Sequence, residues 1–154
     1  MKKSIFTLIL ALVISAMSFA QLTGTKSIPG DYPSVQAAIA ALNTSGVGPG
    51  GVTFNLGLDY TETFTSPTAG HITTVTASAT SPIIFQKFPL GSNPLITAAG
   101  GTSTTMDAII AFAGCDYVTF DGISLQDNPA NTTPTSRMEW GYAILKASAT
   151  DGSQ

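Results

Sequence analysis

The chain has 154 residues, room for one domain, and only 10% of them are charged. With six basic residues in all and a formal charge of −3, it offers no basic patch to a nucleic acid or an anionic membrane. Its single cysteine excludes a disulfide framework.

Residues 1–20 read as a secretory signal peptide. Lys2 and Lys3 form a positive start, Ile5 to Met17 is an apolar run, and Ser18-Phe19-Ala20 supplies a small-residue cleavage site before Gln21. The run is short for a bilayer span and lacks a basic flank that would stop transfer. The expected location is therefore secreted or cell surface, with no membrane span after removal of the signal. Without Lys2 and Lys3, four basic side chains face nine acidic ones, a formal charge of −5.

Residues 21–50 form an N-terminal segment with one helix. Val35, Ala38, Ile39 and Leu42 fall on one stripe of a helix, Asp31 or Ser34 can cap its start, and Asn43 and Gly46 can end it. Placed at one end of a β-solenoid, such a helix covers the core and blocks edge pairing. Gly46 to Gly51 reads as a glycine-rich connection. A phosphate-binding loop requires strand, loop, helix, and the order here is the reverse.

From residue 51 to 154 the signals are short strands. They are Val52–Leu56, Tyr60–Phe64, a weak Thr-rich Ile72–Ala77, Ile83–Phe88 between Pro82 and Pro89, and Leu95–Thr97. Ala108 to Leu125 then holds three alternating apolar runs. Gly114-Cys115-Asp116 and Asp121-Gly122 break them. Strands this short, with a corner every few residues, suit a solenoid turn. Asp127 to Glu139 reads as a long polar loop, and Trp140–Ala147 as the last strand. Strand starts at Val52, Ile83, Ile109 and Ile144 give intervals of 31, 26 and 35 residues, within the range of solenoid repeats. Ala143 to Ala147 also echoes Ala108 to Phe112. That echo leads to the expectation that the solenoid continues beyond Gln154, with downstream domains of a longer protein.

Ser27-Ile28-Pro29-Gly30-Asp31-Tyr32-Pro33-Ser34-Val35-Gln36-Ala37-Ala38-Ile39 resembles the N-terminal cap of secreted right-handed parallel β-helix proteins of the pectin-lyase-like superfamily. Tyr117-Val118-Thr119-Phe120-Asp121-Gly122-Ile123 resembles their recurring turn motif, and the mature chain resembles surface proteins of Bacteroidetes type. The resemblance implies an all-β fold, a right-handed parallel β-helix forming a partial solenoid with an N-terminal capping α-helix. It implies little about activity, because the same turns serve lyases, hydrolases, esterases and adhesins.

Chemistry is thinly signalled. Asp116, Asp121 and Asp127 are the acids available for calcium, but the first two are better explained as turn residues. No acidic pair recurs at turn spacing for glycoside hydrolysis. Gly57-Leu58-Asp59-Tyr60-Thr61-Glu62 has one residue too many for the Gly-x-Tyr-x-Glu element of pectin-methylesterase-like proteins. His71 reads as a lone exposed histidine, and Cys115 as a buried small hydrophobe. No catalytic residue, metal ligand or cofactor is assigned. The candidate binding residues are Arg137, Glu139, Trp140 and Tyr142. Trp140 and Tyr142 are two apart on a strand and share a face, which would form a sugar-stacking platform if it is not packed into the core. The expected function is structural and binding, with polysaccharide as partner. The alternative is the N-terminal part of a polysaccharide lyase or hydrolase with catalytic turns downstream. An immunoglobulin-like sandwich would explain the short strands, but neither the cap helix nor the echo.

Overall fold

The computed structural model of the chain describes residues 20–105 and 107–148. The expected signal peptide, apart from Ala20, lies outside the described residues. Ten strands and one helix follow one another as β1 (Leu22–Ile28), α1 (Val35–Ser45), β2 (Val47–Leu56), β3 (Thr61–Thr63), β4 (His71–Ile72), β5 (Ile83–Lys87), β6 (Leu95–Thr97), β7 (Ala108–Ala113), β8 (Val118–Asp121), β9 (Ser124–Gln126) and β10 (Trp140–Leu145).

Every strand pair is parallel, and the strands sort into three sheets. Sheet A is β1-β2-β5-β8, sheet B is β3-β6-β9, and sheet C is β4-β7-β10. The chain visits A, B and C in that order three times. In the turn before these, β1 takes the A position and α1 follows it. The fold is thus a parallel β-solenoid of about four turns, an all-β parallel β-helix with a single short helix among the described residues. The stretch Ala108 to Leu125 runs through β7, β8 and β9, one full circuit of the three sheets. Its two corners need left-handed backbone: Gly114 has φ +69° and Tyr117 +54° at the first, and Gly122 has +65° at the second.

Alternation fixes what points inward. Phe54, Phe85 and Phe120 are in register on sheet A, and their rings stack at 4.5 and 4.8 Å. Val52, Ile83 and Val118 form the neighbouring column, and Ile96 and Leu125 align on sheet B. In sheet C, Ile72, Phe112 and Ile144 align, with Tyr142 beside Ile110. Each column gains one member per turn, at the ~4.8 Å strand spacing of a sheet. Outward-facing Asn55 and Gln86 likewise pair, Gln86 Nε2 donating to Asn55 Oδ1 at 2.9 Å.

The helix closes the first end. Val35, Ala38, Ile39 and Leu42 are all buried, the four residues of its apolar stripe. Of the two candidate caps it is Ser34 that caps: its side chain accepts from the Ala37 N–H, while Asp31 accepts from Ser27 instead. Gly46, at φ +70°, ends the helix with its N–H on the Leu42 carbonyl. Asn43 ties this end to sheet C, donating to the His71 carbonyl and accepting from the Thr73 N–H.

Three expectations are corrected, and one strand was not foreseen. Residues 46–51 are not a connection, because β2 begins at Val47. The register with β1 jumps from Leu22↔Val47 to Gly24↔Val52, so the glycines form a bulge inside the strand. The first strand, β1, gave no periodic signal, because only Leu22 and Ile28 in it are large and apolar. The Ile72–Ala77 strand shrinks to His71–Ile72, beyond which the Thr74 and Thr76 hydroxyls bond each other and Thr76 Oγ1 accepts from the Val47 N–H, side-chain bonds in place of a backbone ladder. Finally, Ile109 does not follow Ile83 on one sheet. Ile83 aligns with Val118, 35 residues on, and Ala143 aligns with Ala111, not Ala108. The echo joins two strands of the same sheet, β7 and β10, but three residues out of register, whereas the Ile83–Ile109 interval compares strands of two different sheets.

Candidate functional site

The B-to-C corner carries two long connections, residues 98–107 and 127–139. They stack on each other as the strands do. Gly101 N–H donates to the Ser136 carbonyl at 2.7 Å, and Asn131 Nδ2 donates to the Ala99 carbonyl at 2.9 Å and to Asp127 Oδ1 at 2.6 Å. Asp107 holds the upper loop, its Oδ2 accepting from the N–H groups of Thr102 and Ser103 at 2.6 Å each. Glu139 Oε2 accepts from the Asp107 N–H at 3.0 Å, and the Trp140 N–H then donates to the Asp107 carbonyl at 3.1 Å.

Met138 packs against the core, so its neighbours Arg137 and Glu139 face outward. With Thr104, Thr132 and Pro134 they line a groove of about 380 Å³. Beside it, Trp140 is 54% exposed, and its Nε1 donates to the Thr105 carbonyl at 3.4 Å. The groove thus presents two hydroxyls, a guanidinium and a carboxylate, while the indole of Trp140, next in the chain to Glu139, lines a separate depression with Thr105 and Tyr142.

Tyr142 belongs elsewhere. It shares a face with Trp140, as alternation required, but that face is the inward one. Its ring stacks on Phe112 at 6.2 Å and meets Phe120 edge-on at 5.7 Å. Burial raises its hydroxyl above the usual tyrosine range. The structure therefore brings Arg137 and Glu139 together, places Trp140 between two surfaces, and seats Tyr142 with Trp140 at the solenoid's end. Thr104 and Thr132 were not singled out in the sequence. Nothing local marks them, because only the stacking of two loops 28 residues apart brings them together.

The other candidates have structural work. Asp116, Asp121 and Asp127 lie at three different corners, the first between β7 and β8, the second at the end of β8, the third after β9. Among the described residues, no group of three or more His, Cys, Asp or Glu side chains is placed to hold a metal. Cys115 is buried, as expected. Its Sγ donates to the Ile72 carbonyl at 3.3 Å, and burial, with Asp116 nearby, pushes the thiol up to about 11. His71 is half-buried rather than exposed, and this burial lowers its pKa, with Asp107 acting weakly the other way.

Tyr60 and Glu62 have a role that the sequence left open. Glu62 stands in register with Ile96 and Leu125, an inward position. Its carboxylate accepts from the N–H groups of Val35 at 2.7 Å and Gln36 at 3.1 Å, and from the Tyr60 hydroxyl at 2.7 Å. It thereby caps α1 from a different element. The signal was present: an acid at an inward strand position needs a partner.

Among the described residues, no helix is long and apolar enough to cross a membrane. No family model matches the chain, and neither a curated protein nor a solved structure matches it.

Proposed function

We propose that the protein is an exported β-solenoid with a structural and binding role at the cell surface, contacting polysaccharide at the groove of the B-to-C corner. The groove itself carries the reading. Its volume, about 380 Å³, lies within the ~300–1,000 Å³ range of small-ligand sites. Thr104, Thr132, Arg137 and Glu139 offer the donors and acceptors that sugar hydroxyls require. The half-exposed indole of Trp140 supplies a flat apolar face for a pyranose ring. The stacked loops hold these groups in place, so little ordering cost falls on binding. As part of the same proposal the chain is read as one of the pectin-lyase-like surface proteins of Bacteroidetes type, a reading carried by the sequence resemblance at residues 27–39 and 117–123.

Affinity electrophoresis against a neutral β-glucan and against polygalacturonate tests the proposal. We expect one of them to retard the protein, and Trp140→Ala and Arg137→Ala each to weaken that retardation at least tenfold, in the range of interface hot spots. Failure of both polymers, or retardation unchanged in both variants, sinks it. Release of new reducing ends or unsaturated products from either polymer would favour the lyase or hydrolase alternative.

A further inference from the structure

The outward face of α1 lacks what a surface helix ordinarily carries. Such a face is usually covered by long charged side chains, and α1 holds no charged residue. Gln36, Ala37 and Ala40 stand outside its buried stripe. The alanines leave a hollow of about 390 Å³ between the helix and residues 64–70, the B-to-C connection of the first circuit. Ala37, Ala40 and Ala69 give the hollow apolar walls, and Gln36, Thr68 and His71 give it polar ones. The Gln36 side chain is held by its Oε1, which accepts from the Thr65 N–H at 3.2 Å and from the Thr65 hydroxyl at 2.9 Å. Its NH₂ group is left over, and neither the Thr68 hydroxyl nor the His71 imidazole bonds another described residue. Burial lowers the pKa of that imidazole, so at neutral pH it offers one donor and one acceptor nitrogen.

The hollow and the groove belong to one corner. The groove is built by the B-to-C connections of the second and third circuits, and the hollow by α1 and the connection of the first. His71 pairs with Ala111 of β7, which begins just after Asp107, and Trp140, just after Glu139, pairs with Ala108. The connections therefore rise one above another, and Asp107 lies near enough to His71 for its charge to act on the imidazole. From the middle of the hollow to the middle of the groove is about two turns, or ~10 Å at the strand spacing of a sheet. One turn advances the solenoid by about as much as one pyranose unit lengthens an extended glycan.

We propose that the hollow is a second sugar subsite, filled by the same glycan that occupies the groove and running along the B-to-C corner to the cap helix. This rests on the polysaccharide reading of the groove and names its ligand more closely: an extended chain long enough to span both sites, not a disaccharide. The three alanine methyl groups meet the C–H face of a sugar ring. The Gln36 NH₂ group, the Thr68 hydroxyl and the His71 imidazole meet its hydroxyls. Once one site is filled, binding at the other is intramolecular, so affinity rises steeply when the chain becomes long enough to reach both.

His71 is the sole histidine, so its imidazole proton signals in an NMR spectrum report on the hollow alone. The test titrates the protein with oligosaccharides of two and of six units, taken from the neutral β-glucan and from polygalacturonate. We expect the six-unit chain of one polymer to shift the His71 signals and to bind about tenfold or more tighter than its two-unit fragment. Ala40→Gln fills part of the hollow and Thr68→Ala removes a hydroxyl from it, both at exposed positions. Each should cut the advantage of the longer chain several-fold with the melting temperature unmoved. Binding that Arg137→Ala weakens, but that leaves the His71 signals in place or shows no gain from two units to six, overturns the second subsite and leaves the groove reading standing. A His71 shift that Arg137→Ala leaves untouched overturns the shared path. Binding by neither series removes the groove reading and this inference with it.

Discussion

Replacing Glu62 by glutamine tests how the cap helix is held. An α-helix leaves its first N–H groups without internal partners. Here Ala37 uses the Ser34 side chain, and Val35 and Gln36 use the two oxygens of Glu62. A glutamine has one acceptor oxygen, and its NH₂ group would confront a donor. One backbone N–H, or the Tyr60 hydroxyl, then loses its partner. A hydrogen bond to a charged group contributes ~1.5–3 kcal/mol and the helix dipole a further ~0.3–1 kcal/mol, and part of each survives in the amide. The expected loss is about 2 kcal/mol. At ~1–3 kcal/mol per molar urea, the unfolding midpoint should fall by roughly 1 M at neutral pH with an unchanged slope. Tyr60→Phe removes the hydroxyl's bond to Glu62 and the longer 3.3 Å arm from the Val35 N–H, but leaves the carboxylate on the helix, so it should cost only about 1 kcal/mol. A Glu62→Gln midpoint within error of the parent, or a larger effect from Tyr60→Phe, would refute the trans-cap.

Phe85→Leu breaks both stacked contacts of the aromatic column and should cost about 2 kcal/mol in the same urea assay, more than Phe120→Leu at a half-buried position. Cys115, with its thiol pushed up to about 11 by burial, should react with iodoacetamide at pH 8 only after unfolding, as mass spectrometry would show; rapid labelling of the folded chain would contradict the burial. His71 has a pKa lowered by burial, so the unfolded chain takes up a proton before the folded one does. Stability should therefore fall as pH drops through the ordinary histidine value towards the lower folded one, and His71→Gln should flatten that part of the melting-temperature profile.

Periodicity carried far where one face of an element is buried and the other wet. The stripe Val35, Ala38, Ile39, Leu42 predicted the buried face of α1 residue for residue, and alternation predicted β7, β8 and β9. It failed where burial is two-sided or shallow. β1 has a nearly polar pattern because it is an edge strand beneath the cap, and Thr23, Gly24, Thr25 and Ser27 are exposed there. The turn length was misjudged for a related reason. Sheets A and C both offer Ile-rich strands, and nothing in Ile83-Ile84-Phe85 or Ile109-Ile110-Ala111 says which sheet each joins. Only the corner lengths decide it, and these vary: turns measured on sheet A take 31 and then 35 residues, and on sheet C 40 and then 32.

The variation is confined to the corners, and it explains why the candidate groove sits where it does. Each inward column demands one apolar residue per turn at a fixed spacing, so the strands have little freedom. The B-to-C connection is bound by no such column. It takes 7 residues (64–70) in the first circuit and 13 (127–139) in the last. Extra length there can stack on the loop of the preceding turn and satisfy its backbone through Asp107, Asn131 and Glu139 without disturbing the core. Arg137, Thr104 and Thr132 are then left facing solvent on a rigid support. The same division predicts how substitutions should separate. Changes at Phe54, Phe85 or Ile110 should act through stability alone, and changes at Arg137 or Thr132 should alter binding with the urea midpoint unmoved. A binding-site variant that also unfolded early would mean that the corner is part of the core.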